Sequence, residues 1–188
     1  MTTINQQALD NMKSRRSCRS FLPDMPKREL IEKVLEAGTW APTGHNRQSP
    51  IIIVITNPEL RERLSKLNAK VWNEMTIKNG GTPHPDMDPF YGAPVVILVL
   101  ADRKIRTYHH DGCAVLTNMA NAAHAVGLGS CWIHRAKQEF ESEEGKAILK
   151  ELGIEGDYEG IDHLILGYPS KPLPQPLPRK ADYIHWVE

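Results

Sequence analysis

Three guanidinium groups and a hydroxyl fall within five residues at Arg15-Arg16-Ser17-Cys18-Arg19. Such a density of donors suits a phosphate gripped by charge-assisted, often bidentate bonds, for which the planar arginine fork is better shaped than an ammonium group. The same cluster also fits a solvated basic turn that completes the dipole of a preceding helix. A second polar group lies in Ala41-Pro42-Thr43-Gly44-His45-Asn46-Arg47-Gln48-Ser49-Pro50, where Thr43, Asn46 and Gln48 alternate with residues that leave the backbone open. Amide side chains there suit the edge of a flat heteroaromatic ring carrying both donors and acceptors; an ordinary polar loop before a strand is the competing reading. A third stretch, Gly127-Leu128-Gly129-Ser130-Cys131-Trp132-Ile133-His134-Arg135, opens on two glycines and ends in bulky or polar residues. A ligand can therefore approach its backbone closely near one end, although Trp132 also reads as plain core.

Other chemistries fit less well. The glycine pair at 127 and 129 follows a helix and precedes a strand, without the third glycine or the following helix of a dinucleotide fingerprint. His109 and His110 point apart as neighbours, and His110 and His124 are too far along one helix to share a metal. No GxSxG is present, and Cys113 sits early in a helix of small residues where burial is the simpler role. No histidine, cysteine or carboxylate arrangement has the spacing of an acid–base or nucleophile pair, so no side-chain catalyst is named.

The elements that must position these groups follow from pattern and punctuation. The 188 residues carry 23 lysines and arginines against 23 aspartates and glutamates. One domain spanning 1–188 is expected, with no global field for nucleic acid or an anionic membrane. The N-terminus lacks an apolar signal core and the apolar runs are too short to span a bilayer, which predicts a soluble, cytoplasmic protein. Cys18, Cys113 and Cys131 form no CxxC pair and read as free thiols.

Residues 4–14 predict a short helix with Ile4, Ala8, Leu9 and Met12 near one face. A second helix opens at Pro26, carries Leu30, Ile31, Val34 and Leu35, and closes at Gly38. The polar loop leads into a strand over Ile51–Thr56, apolar on both faces and so expected to be central. Asn57-Pro58 starts a helix reaching about Asn68. The Gly-, Pro- and Asp-rich stretch from Lys78 to Pro94 is too irregular for an element and suggests a lid. Pro94–Ala101 predicts a strand, Asp111–Val126 a small-residue helix ended by Gly127, Leu128–Ile133 a strand, Ser142–Leu152 a helix and Ile161–Gly167 a strand. Five prolines between Tyr168 and Pro178 make an extended arm that ends in the apolar Tyr183–Trp186 and needs a surface to lie on. The order of elements indicates an α+β fold, a central mixed sheet covered by helices.

Taken in order, these pieces resemble the nitroreductase family of FMN flavoproteins: the RRSxR turn at Arg15–Arg19, the APTGHNRQSP loop in place of the family's APSxxNxQPW, the GLGSCWI strand, and the proline-rich LPRK arm at Leu177–Lys180. The resemblance covers nearly the whole chain. It implies an intertwined homodimer with FMN at the subunit interface. Arg15, Arg16, Ser17 and Arg19 would hold the phosphate and ribityl chain, joined by Arg179 and Lys180 of the arm. Thr43, Asn46 and Gln48 would contact the flavin largely from the partner, and Asn73 resembles a family asparagine beside the ring. At Trp132, Ile133, His134 and Arg135 the family presents backbone N–H groups to the flavin. It further implies a ping-pong cycle, with NAD(P)H as hydride donor and a small electron-poor acceptor such as a nitroaromatic or quinone. A flavoenzyme specialised for reductive substituent removal or flavin remodelling, and a non-catalytic flavin or nucleotide sensor, stay open beside it. Ser49 replaces the usual tryptophan-bearing loop ending, while His45 and Arg47 are bulky polar insertions, so the acceptor stays undefined.

Overall fold

A computed structural model of the chain describes residues 3–188. Four strands, β1 (Pro50–Ile55), β2 (Val95–Asp102), β3 (Gly129–Ile133) and β4 (Tyr158–Gly167), form one sheet in the order β1-β2-β4-β3. The expected mixed sheet is antiparallel in each of these strand pairs, and parallel pairing is confined to an isolated bridge between Ser17 and Ser130.

The sheet is sandwiched because β2 buries both of its faces. Val95, Ile97, Val99 and Ala101 point to the side of α2 (Arg28–Thr39) and α4 (Tyr108–Ala125), where Val34, Leu116 and Met119 fill the core. Val96, Leu98 and Leu100 point to the other side and meet α3 (Pro58–Lys78), α5 (Ala136–Glu141) and α6 (Glu143–Glu151) through Leu64, Phe140 and Ile148. Strand alternation sends successive residues to opposite faces, so a wholly apolar strand is the one that needs two covered faces.

β1, equally apolar, does not take the central place its composition suggests: it forms an edge of the sheet, with Val54 exposed. Its pairing to β2 satisfies one side of its backbone only, which periodicity alone cannot reveal. α3 likewise runs ten residues past the expected stop at Asn68. Leu64, Leu67, Asn68 and Val71 form one buried stripe at helical spacing, and the end comes at Gly80, whose left-handed φ of 74° lets Gly81 N–H reach the Thr76 carbonyl at 2.8 Å. Gly38, expected to close α2, lies inside it against Met119. β4 starts at Tyr158, ahead of the predicted Ile161, because a bulge opposite Val99/Leu100 lets the polar Glu159-Gly160 stay in the ladder. The short α5 carries too few apolar residues to be seen in advance. α1 (Gln6–Ser14) has no buried residue, and beyond Ser170 the arm is almost wholly exposed.

Candidate functional site

The basic cluster is placed by the end of α1. Asn5 caps that helix at its start by accepting from Ala8 N–H, and at Arg15 the chain turns extended. Cys18 N–H then donates to the Ser130 carbonyl at 2.8 Å, which seats residues 15–19 along the outer edge of β3. Gly129 permits this approach, since a Cβ there would stand 2.8 Å from the Cys18 sulfur. Among the described residues, Arg15, Arg16 and Arg19 pair with no carboxylate. Arg16 Nη1 donates to the carbonyls of Lys13 and Arg15, both at 2.6 Å, while its Nε is buried with no partner. A buried, unmatched N–H among uncompensated cations is what a bound anion would satisfy.

Two neutral groups lie close to this cationic patch. His124, near the end of α4, meets Ser14 Oγ through Nε2 at 2.8 Å; burial, and then Arg15 and Arg16, push its pKa down, so the ring is held neutral. The Cys131 thiol is pushed up by burial, against the opposing pull of Arg19, the Ser17 hydroxyl and Arg15, so it remains a protonated, unreactive thiol.

The far end of β3 supplies main-chain donors. The outward carbonyl of Ser130 accepts from Cys18, so by alternation Trp132 also turns its backbone groups away from β4. Just past the strand, Asn68 Nδ2 donates to the His134 carbonyl at 2.9 Å, while the Trp132 N–H faces the free edge. Arg135 follows with a left-handed φ of 91°, an unusual conformation for a side chain of its size. It is fixed by its fork on Asn68 Oδ1, with Nε at 3.0 Å and Nη2 at 2.7 Å. Asn68 also bonds Glu139, whose other oxygen meets His163 Nε2 at 2.9 Å, all three residues being fully buried. Burial lowers the Arg135 pKa, with Glu139 and Asp162 acting against it. A cavity of about 190 Å³ opens here, lined by Arg19, Trp72, Tyr91, Trp132, His134 and Arg135 among others and by no carboxylate. A larger open cleft of about 600 Å³, between α3 and residues 85–93, contains none of the predicted site residues.

Asp162, buried on β4, accepts from Trp132 Nε1 at 2.5 Å and contacts His134 Nδ1 at 3.0 Å. Sequence reasoning missed this pair because its members lie 28 positions apart and meet only through the β3–β4 register.

The polar loop is built around a residue that the sequence did not single out. Asp111, buried near the start of α4, accepts from Gly44 N–H at 3.0 Å, Ser49 Oγ at 2.7 Å and Thr107 Oγ1 at 3.1 Å. Thr43 Oγ1 accepts from Gln48 N–H, and His45, Asn46 and Gln48 all have left-handed φ near 50°. The loop enters β1 at Pro50, which pairs with Ala101 and through it Glu159, whereas Ser130 pairs with Leu166. Loop and arginine cluster thus occupy diagonally opposite corners of the sheet, about 25 Å apart from strand spacing and rise. Within one chain they do not meet.

Asn73 is engaged with the lid: its Oδ1 accepts from His84 N–H at 2.7 Å and its Nδ2 donates to the His84 carbonyl, while the Trp72 and His84 rings pack 5.6 Å apart. Asp88 secures the lid's other end through Ser65 Oγ, Phe90 N–H and Gly92 N–H. Arg179 and Lys180 stand exposed on the arm, Lys180 against Tyr183. The three cysteines are free thiols, and no helix among the described residues is long and apolar enough to cross a membrane.

Comparison with known proteins agrees with this architecture. The chain is 29% identical over 170 residues to an Archaeoglobus fulgidus protein that carries the provisional name NADH dehydrogenase/NAD(P)H nitroreductase, covering 88% of this chain and 87% of that one. Its fold is similar to that of a Bacteroides fragilis nitroreductase solved with bound FMN, at a TM-score of 0.86 and 25% identity over 99% of this chain and 100% of the other. A Desulfitobacterium hafniense nitroreductase with bound FMN gives a TM-score of 0.82 and 27% identity over the full length of both chains. Residues 12–168 match the Nitroreductase family, and the chain belongs to that family.

Proposed function

We propose that this chain is a single-domain subunit of a cytoplasmic, homodimeric FMN-dependent oxidoreductase that takes hydride from NAD(P)H and passes it, by a ping-pong cycle, to a small electron-poor acceptor such as a nitroaromatic or quinone. The observation that carries the reading is the arginine cluster seated on the edge of β3, with three cations lacking carboxylate partners and a buried Arg16 Nε without an acceptor. FMN-bound relatives of the same fold support it.

FMN, when bound, supplies the hydride chemistry. Arg15, Arg16, Ser17 and Arg19 bind and neutralise its phosphate, and Trp132 and His134 offer main-chain N–H groups to the ring edge. Asn68 and Arg135 hold that stretch of backbone in place. Asp111 keeps Thr43, Asn46 and Gln48 presented at the opposite corner of the sheet, where they serve the partner's flavin. Trp72 and Tyr91 cover the cavity and exclude water. Arg179 and Lys180 join the phosphate across the interface, and Asn73 positions the lid over the ring.

Surface area supports a second subunit. The chain exposes 12149 Å², against about 9,100 Å² for a monomer of its mass, and the excess is of the size an obligate dimer buries. Ile4 just before α1, Leu9 and Met12 on it, and Leu177, Ile184 and Trp186 on the arm, are all exposed, Trp186 to 85%. The open edge of β1 and the extended arm are complementary in kind.

The test is spectroscopic. Purified protein should show flavin absorption that heat releases as FMN, bleach on anaerobic mixing with NADH or NADPH, and recover its colour with a nitroaromatic or quinone. Failure to bind FMN refutes the cofactor assignment, and a bound flavin that neither nicotinamide reduces refutes the oxidoreductase reading.

A further inference from the structure

His134 lines the cavity beside the predicted ring site, backed by the buried Asp162, and the side chains of this pair have no task in the hydride chemistry. Asp162 Oδ2 accepts the indole N–H of Trp132 at 2.5 Å, and an indole can only donate, so the carboxylate faces the pair as an acceptor. His134 Nδ1, at 3.0 and 3.2 Å from the two oxygens, is therefore the protonated nitrogen. Nε2 is left free on a ring that is 68% exposed. A carboxylate on one ring nitrogen fixes the orientation and tautomer and stabilises the imidazolium, leaving the other nitrogen to exchange protons. Asp162 faces the ring from β4, with Cys113 of α4 behind it. Arg135, Arg19, Tyr91 and Cys131 are the other titratable groups lining the cavity, and Glu139 acts on Arg135.

We infer that His134, oriented by Asp162, is the proton donor to the acceptor when this site reduces a quinone, a role that rests on the flavin reading above. A quinone becomes a hydroquinone by gaining one hydride and one proton. The hydride comes from the reduced cofactor. The proton leaves His134 Nε2 as its N–H bond breaks and an O–H bond forms on the acceptor oxygen, the imidazolium becoming neutral imidazole. Solvent then returns a proton to the exposed ring. Asp162 is a positioning residue in this scheme, and the reduction of the cofactor by NAD(P)H does not involve the pair.

The experiment compares the FMN-loaded wild type with H134Q and D162N in anaerobic double-mixing kinetics, using benzoquinone, which needs a proton, and ferricyanide, which takes electrons alone. H134Q should lower the quinone rate relative to the ferricyanide rate about a hundredfold, a ratio that cancels any effect of the substitution on the flavin itself. Nitrogen NMR of the ring, which needs no turnover, should show the proton on Nδ1 in the neutral wild type and a shifted tautomer ratio in D162N. The inference is overturned if quinone reduction is unaffected in H134Q, if quinone and ferricyanide rates fall together, or if the neutral ring shows the same tautomer with and without Asp162. A wild type that NAD(P)H cannot bleach overturns the functional reading and the donor role with it, whereas a turning-over enzyme indifferent to His134 overturns the donor role alone.

Discussion

Replacing Asp111 by alanine tests how the polar loop is held. Asp111 is 3% exposed and its two oxygens accept three hydrogen bonds, from Gly44, Ser49 and Thr107. Bonds to a charged acceptor contribute about 1.5–3 kcal/mol each, but alanine also removes a buried charge whose desolvation costs several kcal/mol. Gly44 and Thr107 are near enough to solvent to find water, whereas the Ser49 hydroxyl is buried and would be stranded at about 1–3 kcal/mol. Against this, the loop holds three non-glycine residues at left-handed φ, each a strain of about 1–3 kcal/mol that persists only while its surroundings enforce it. Relaxation of the loop returns part of the loss. The expected net cost of D111A is about 2–4 kcal/mol, with weakened FMN binding because Thr43, Asn46 and Gln48 lose their arrangement. D111N should cost only about 1 kcal/mol: its oxygen keeps Gly44, and its amide donates to the Ser49 and Thr107 hydroxyls once they rotate. Urea denaturation of the apoprotein and flavin fluorescence titration measure the two effects. Equal damage from D111N and D111A, or a D111A loss under about 1 kcal/mol, would refute the carboxylate as the loop's anchor.

R15A and R19A should each weaken FMN by about 1.5–3 kcal/mol while leaving riboflavin affinity unchanged; equal losses for both flavins in a titration would make the arginines structural. At Arg135, glycine should be tolerated better than valine by at least about 1 kcal/mol in urea midpoints, because a β-branched residue resists the left-handed φ of 91°. Analytical ultracentrifugation should find a dimer at micromolar concentration, and a stable flavin-loaded monomer would contradict the two-corner site. Burial alone would raise the Glu159 carboxyl, yet Lys137, Tyr108 and Arg103 hold it below its ordinary value. A depressed folded pKa contributes stability that is intact above the ordinary glutamate value of about 4.3. That share is lost as pH falls through the lower folded value, so E159Q should flatten this part of the acid unfolding curve.

Much of the molecule could be read from the chain alone, for physical reasons that stay local. The apolar run from Val95 to Ala101 demanded two covered faces and has them. Gly127 stops α4 with a left-handed φ of 79°, and Asn57-Pro58 opens α3. The arginine cluster, the amide-bearing loop and the glycine-led strand were each visible as chemistry, since residue type and spacing report what a segment can bond. Tertiary structure decided where those bonds can meet. Only the strand order turned the apolar β1 into an edge, and only the register placed the loop and the arginines at opposite corners of the sheet. Asp111 near the start of α4, Asn68 and Glu139 beneath Arg135, and Asp162 beside His134 gave no sign in sequence. Each acts across a separation of 24 to 71 positions, and a buried polar group shows its role only once the partners that compensate its desolvation have been folded against it.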